Sequence, residues 1–433
     1  MLKQSRHAIG NLINRYRAVL RTCSLCNVFG SLAAASAAVM LSASLVSAST
    51  LEFTGGSADP ALGTGPVWNI GSSLFPTETS SGNTVIVTGG SIAGDVYGNG
   101  ILDTEVRGNS IEFTGGTVDG DIIAGLNKEG NVSGNSVTMS GTTSATNIYG
   151  GFAHTSGDAV GNSVMLEGGH AYAATGGMSA TGISRGNAVT LNGASMDMGV
   201  YGGQTSTGTA EDNAVTILSG SSAYSVIGGR VNKTGGQAIG NSVVMSGGTV
   251  NENLIGGYLN TGVTDGLLSG NTVEISGGTV TKSVYGGQAR EGDGVITGNK
   301  VVMTDGSVNW LMGGYHMGSG EVSYNTVEVS GGTVNGSISG GDSAGDVIGN
   351  SVVMANVDVQ VLRGGYSSAA DATGNSVVMK SGSTTGTAFG GDGHVSATGN
   401  SFTLEGGTVG KNLIGGLARN GDATGNMVAI SDG

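Results

Sequence analysis

The chain has 433 residues, 85 of them glycine and 3 proline, with 11% charged residues and a net charge of −14. Glycine costs about 1 kcal/mol per residue in a helix interior, so this composition excludes a predominantly helical protein. The acidic balance argues against nucleic acid or an anionic lipid surface as a partner.

Residues 1–48 differ in kind from the rest. Lys3, Arg6, Arg15, Arg17 and Arg21 make a basic segment without an acidic residue, and an Ala-rich apolar run follows from Leu32 to Val46. Val46-Ser47-Ala48 fits a small-residue cleavage site, so the segment reads as a signal peptide with a long basic n-region. The alternative is an N-terminal membrane anchor, for which an apolar run of about 15 residues is short. Both cysteines, Cys23 and Cys26, lie in this leader; a lone C-x-x-C without partner ligands is a weak metal or redox signal. Removing the leader takes away five basic and no acidic residues, so the mature net charge becomes −19. Residues 49–82 hold all three prolines, Pro60, Pro66 and Pro76, and read as an N-terminal cap or linker.

From residue 83 to 433 the chain is a repeat. An asparagine returns at 83, 109, 135, 162, 187, 213, 241, 271, 299, 325, 350, 375, 400 and 426, with gaps of 25 to 30 residues. The second and fourth residues after each Asn are apolar, as Val243 and Met245 or Phe402 and Leu404, and the residue between them is free to be polar, as Glu274 or Thr403. Such alternation predicts a short strand with one buried face. Glycine follows six or seven places after every Asn except Asn350, which suits a turn. A second apolar strand, as at Val250 with Leu254-Ile255, closes on a Gly pair such as Gly256-Gly257, and a variable loop of about ten residues returns to the next Asn.

The fixed period predicts an all-β, right-handed parallel β-solenoid of about 13–14 coils of 25–30 residues; stacked antiparallel hairpins are the alternative. Equivalent residues of successive coils would then sit about 4.8 Å apart, giving a rod of about 60 Å. The Asn column would form a hydrogen-bonded ladder, since each amide both donates and accepts, and Asn at a sharp bend also tolerates left-handed backbone angles. The Asn column is thereby read as scaffold. The absence of proline from residue 83 onward agrees with continuous pairing.

The Gly-Asn-x-Val-x-[Met/Ile/Leu/Phe]-x-Gly-Gly repeats from Gly82 onward, with the leader up to Ala48 and an acidic cysteine-free mature chain, resemble the passenger region of a bacterial autotransporter. The resemblance covers nearly the whole chain through motifs that are compositional. It implies crossing of the outer membrane through a C-terminal β-barrel, and surface roles such as adhesion or proteolysis. The chain departs from that family at Ile430-Ser-Asp-Gly433, where it stops as a fourteenth repeat begins, without a barrel-like series of strands. The resemblance therefore implies a truncated rod whose anchoring barrel is not in this chain.

Candidate chemistry is sparse. Gly341-Asp-Ser-Ala-Gly345 and Gly182-Ile-Ser-Arg-Gly186 match G-x-S-x-G, but neither Ser343 nor Ser184 sits on a strand-to-helix elbow, and chance matches are expected among 85 glycines. His154, His170, His316 and His394 fall in different coils without metal-ligand spacing. Asp158, Asp346, Asp371 and Asp422 each precede a repeat Asn by four residues; they read as Asx turns bonding their own backbone, or, for Asp346 and Asp371, as a shared Ca²⁺ site. Tyr97, Tyr149, Tyr201, Tyr285 and Phe389 share one register, as core or corner filling or as a sugar-contacting column.

The resulting expectation is an exported, non-enzymatic rod at the bacterial cell surface, outer membrane or extracellular space, acting as an adhesin or self-association element. It would have no catalytic, cofactor or metal residues, no nucleic-acid partner, and a host surface or a second copy as partner. The alternative is a polysaccharide-active β-helix lyase or hydrolase, which would require charged residues clustered on adjacent coils.

Overall fold

A computed structural model describes residues 50–54, 80–99, 105–233 and 235–431, all within the compact unit Ala48–Gly433. The leader reading of residues 1–48 lies outside the described residues. Every regular element among those described is a β-strand, and every strand pairing is parallel: the protein is a β-solenoid of about 13 turns.

The coil from Asn241 shows the pattern. A first strand, Ser242–Met245, alternates between buried Val243 and Met245, both 0% exposed, and outward Ser242 and Val244. A corner leads through Thr249–Val250 into the second strand, Leu254–Leu259, and a short third strand follows at Leu267–Ser269. Each pairs in register with the next coil: Val243 faces Val273, Leu254 faces Val284 and Leu268 faces Ile296. In that next coil the first strand, corner and second strand run as one element, Thr272–Ala289. The third strand lies in what the sequence predicts as a variable loop. It is two or three residues long with one buried side chain, such as Ala238 or Ile296, too short for alternation to reveal it. These third strands form their own parallel sheet from Glu105–Arg107 to Ala423–Thr424.

The first-strand ladder also reaches back into the stretch read as cap or linker, where Thr50–Phe53 pairs in register with Thr84–Val87. A single apolar core of stacked Val, Ile, Leu, Met and Phe side chains runs from Phe53 to Leu404. Smaller clusters lie under the third strands, among them Leu259, Leu268, Ala289 and Ile296.

The Asn column forms the predicted ladder. Each Nδ2 donates to Oδ1 of the next Asn at 2.8–3.0 Å, in an unbroken series from Asn83 to Asn426. Asn83 through Asn400 are fully buried. The left-handed backbone expected of the Asn belongs instead to the residue before it. That residue is glycine in most coils, as Gly240 (φ 65°) and Gly270 (φ 64°), and Asp212 (φ 52°) and Tyr324 (φ 55°) take the same conformation. Where the turn glycine is missing after Asn350, Asn356 supplies it with φ 58°.

The Gly pair is likewise not a closing turn. It lies in mid-strand, as Gly256-Gly257 within Leu254–Leu259. A Cβ on Gly257 would sit 2.4 Å from Asn271 Nδ2, and one on Gly256 would sit 2.6 Å from the Gly286 carbonyl oxygen. The pair is glycine because the second strand runs against the Asn ladder.

Candidate functional site: a lateral groove on the second strands

The close approach at the Gly pairs shapes the outer surface. In the second strand, Leu254 belongs to the main core, while Ile255 and Tyr258 share a separate outer cluster; they are three residues apart, so the regular alternation breaks at the Gly pair between them. The two glycines carry no side chain, and Ile255 and Tyr258 on either side of them pack into one cluster with Ile227 and Tyr285. Ile255 and Tyr258 are 2% and 7% exposed for this reason, although neither belongs to the main core. Repeated along the axis, this gives two registered columns, which line a groove between Tyr201 and Arg290.

The first column runs through Tyr97, Ile123, Tyr149, Thr175, Tyr201, Ile227, Ile255, Tyr285, Met312, Ser339, Arg363, Phe389 and Ile414. The five aromatics of the sequence analysis therefore do share one register. None of them belongs to the main core; Tyr201 lines the groove, and Tyr285 packs with it in the outer cluster. Burial pushes the Tyr149 hydroxyl up to about 12 and raises those of Tyr285 and Tyr315.

The second column is the residue after each Gly pair, including Arg230, Tyr258, Gln288, Tyr315, Asp342, Tyr366 and Asp392. Sequence reasoning passed over it. Its signal is a Gly-Gly-x motif whose third position varies freely in chemistry while its neighbours do not.

Two parts of these columns carry functional groups. Around coils 201–290 the groove encloses ≈ 460 Å³, lined among others by Tyr201, Tyr224, Arg230, Glu252, Tyr258 and Arg290. The Arg230 guanidinium lies 5.1 Å from the Tyr201 ring centre and 5.9 Å from that of Tyr258, and its Nη1 donates to the Tyr201 hydroxyl at 2.9 Å. Its Nε is buried without a hydrogen-bond partner. The Tyr285 and Tyr315 rings stack at 5.3 Å.

Further along, Asp342, Arg363, Tyr366, Asp392 and Arg419 come together from successive coils. The Arg363 guanidinium sits 4.7 Å from the Tyr366 ring centre, and Arg419 makes a two-nitrogen contact to Asp392 at 2.9 and 3.3 Å. Burial pushes the Asp342 carboxyl up to about 6; Arg363 opposes this, and the Asp392 charge adds to it. The sequence offered no dense charged cluster, yet the one-coil register assembles this one from residues 21 to 29 apart.

The remaining candidates are accounted for by internal bonds. Ser343 Oγ donates to the Gly320 carbonyl at 2.7 Å and accepts from Gly345 N–H at 2.9 Å; Ser184 Oγ donates to the Gly177 carbonyl and accepts from Asn187 Nδ2. His170 pairs with Asp197 at 3.0 Å, and His394 lies 2.8 Å from Asn420 Nδ2. His154 packs against Phe152. His316 is buried, accepts from Gly318 N–H and is lowered by that burial. The Asp carboxylates do not cap their own backbone. Asp158, Asp346 and Asp371 accept backbone N–H groups of Ile183, Asp371 and Ser396 in the next coil. Asp422 is exposed. Among the described residues no group of three or more His, Cys, Asp or Glu side chains is placed to hold a metal ion.

No family model, curated protein or solved structure matches this chain.

Proposed function

We propose that the protein is an exported β-solenoid rod displayed on a bacterial surface, acting as an adhesin or self-association passenger of an autotransporter. The observation that carries this reading is the parallel β-solenoid itself, about 13 turns carrying two registered columns of side chains outside its main core. A rod stabilised between nearest-neighbour coils presents one long surface to a partner without moving parts. Its aromatic and arginine lining is the composition that dominates binding surfaces. Display is tested with an epitope inserted at the exposed Thr261 of intact producing cells. Labelling by antibody without permeabilisation, with reduced cell attachment or clumping on deletion of the chain, is the expected result. An epitope reached only after lysis would end the display reading.

A second reading has one specific observation in its favour. Asp342 and Asp392 share a column two coils apart, with Tyr366 between them, which corresponds to about 9–10 Å of strand spacing. A raised carboxyl and an arginine-paired carboxylate at that separation match the acid and base of an inverting glycoside hydrolase. Incubation of the purified chain with neutral and anionic polysaccharides, followed by reducing-end measurement, tests it. Turnover abolished by Asp342→Asn would establish the hydrolase over the purely adhesive rod.

A further inference from the structure

The groove between Tyr201 and Arg290 is built to hold something smaller than a partner protein. We infer that it is a binding site for an acidic oligosaccharide, whose carboxylate-bearing sugar seats on Arg230. This deepens the adhesive reading above and takes only its biological setting from it.

Arg230 lies between Tyr201 and Tyr258, which come from the coils before and after its own. The guanidinium lies within cation–π distance of both rings, and one of its nitrogens is already committed to the Tyr201 hydroxyl. Its Nε carries a buried N–H with no acceptor in the protein. The residue as a whole is half-buried and lines the groove, and a guanidinium fork held between two rings suits a carboxylate.

The local charge favours an anion despite the acidic chain. Glu252, at the rim, is already engaged by the Lys282 ammonium and the Tyr224 hydroxyl. Arg230 and Arg290 then remain as the positive charge facing the pocket, with Arg290 Nη1 within 3.5 Å of the Tyr258 hydroxyl.

The rest of the lining fits a sugar rather than a fatty or peptide chain. Amide side chains at Asn253, Asn260 and Gln288 line it; Asn253 Oδ1 and Asn260 are partly engaged within the protein, and the remaining amide groups can donate and accept, as hydroxyl groups require. Tyrosine rings offer apolar faces to the C–H side of a pyranose. One pyranose is about as long as one coil spacing is high, so consecutive sugars would meet Arg230, Tyr258 and Gln288 in turn.

The experiment is calorimetric titration of the full chain with a galacturonate tetrasaccharide, a neutral cellulose tetrasaccharide and a glutamate tetrapeptide. Galacturonate binding is expected to be the tightest of the three. Arg230→Met is expected to weaken it about tenfold, the worth of one charge-assisted hydrogen bond. Arg290→Met, at an exposed side chain outside the core, is expected to weaken it by a smaller factor and guards against a folding defect at Arg230. Equal binding of the neutral sugar removes the role of charge, and equal binding of the peptide removes saccharide recognition. Either result, unaltered affinity in both arginine variants, or no binding at all would overturn the inference. None of these outcomes bears on surface display, which the labelling experiment decides separately.

Discussion

Asn241 Oδ1 accepts two hydrogen bonds from Asn213 in the preceding coil, from its backbone N–H at 3.1 Å and from its Nδ2 at 2.9 Å. Asn241 Nδ2 in turn donates to Asn271 Oδ1 and to the Ala210 carbonyl, each at 2.9 Å. The amide thus uses both lone pairs and both N–H groups in a column shut off from water. An amide is the side chain that can do this in an unbroken series: an acid lacks the donors and a hydroxyl lacks the reach.

Replacing Asn241 by alanine should therefore cost about 2–4 kcal/mol, because it orphans the Asn213 N–H groups and the Ala210 carbonyl in the interior. Asn241→Asp should be worse at neutral pH, since it sets an anionic oxygen against Asn271 Oδ1. Amide hydrogen exchange at Asn213, with urea unfolding of the whole chain, measures both. A loss under about 0.5 kcal/mol, the size of an ordinary surface change, would mean that the ladder contributes register and not stability.

The two glycine types of a coil should respond differently to alanine. At Gly270 the obstacle is conformational: φ is 64°, and the nearest atom to a new Cβ is 4.0 Å away. The expected loss is about 1–2 kcal/mol, and Gly270→Asn should recover part of it, as Asp212 and Tyr324 hold that conformation natively. At Gly257 the obstacle is space, since the Cβ would overlap Asn271. Gly257→Ala should cost more, about 3 kcal/mol, with Asn gaining nothing. Thermal unfolding of the variants ranks them, and equal losses would remove the claimed close approach at the Gly pair.

These two columns also mark the boundary of what the sequence makes legible. The period, the Val243/Met245-type alternation and the ladder Asn are repeated chemistry, and repetition is visible without coordinates. The third strand, with one buried residue such as Ala238, offers too short a pattern. The groove was hidden for the opposite reason. Arg230, Tyr258, Gln288 and Asp342 occupy one column, but they share no residue type, and only the register shows that Tyr366 and Asp392 are cross-strand partners rather than residues 26 apart. The Gly pair misled in the same way: it reads as the end of the second strand, whereas it lies in mid-strand and is glycine because of what packs on it.

The Arg419–Asp392 pair makes a sharper test of the charged end of the columns. The Asp392 side chain is 1% exposed and that of Arg419 46%, so the arginine lies across a buried carboxylate as a half-open cover. Removing only the cover in Arg419→Met strands the charge, with an expected loss of about 2–4 kcal/mol. Asp392→Asn in the same chain should restore most of it, because no buried anion then remains. A double-mutant cycle in urea reads the coupling, and strictly additive losses would show that the two side chains do not depend on each other.

Asp342 should make stability depend on pH in a direction opposite to a salt-bridged carboxylate. Burial raises its carboxyl from 3.8 to about 6, so the folded chain holds this proton more firmly than the unfolded chain does. Its contribution is therefore complete below the unfolded value and is lost as pH rises through about 6. The loss should amount to on the order of 2 kcal/mol, part of it offset by Arg363. Asp342→Asn keeps the shape, cannot ionise, and should be the more stable protein above that pH while matching the parent at low pH. Subtracting the two urea-unfolding profiles isolates this one group from every other acid in the chain. A flat difference would mean that the carboxylate is solvated and holds its proton no more firmly than a free aspartate, which would remove the raised acid that delivery of a proton to a glycosidic oxygen requires.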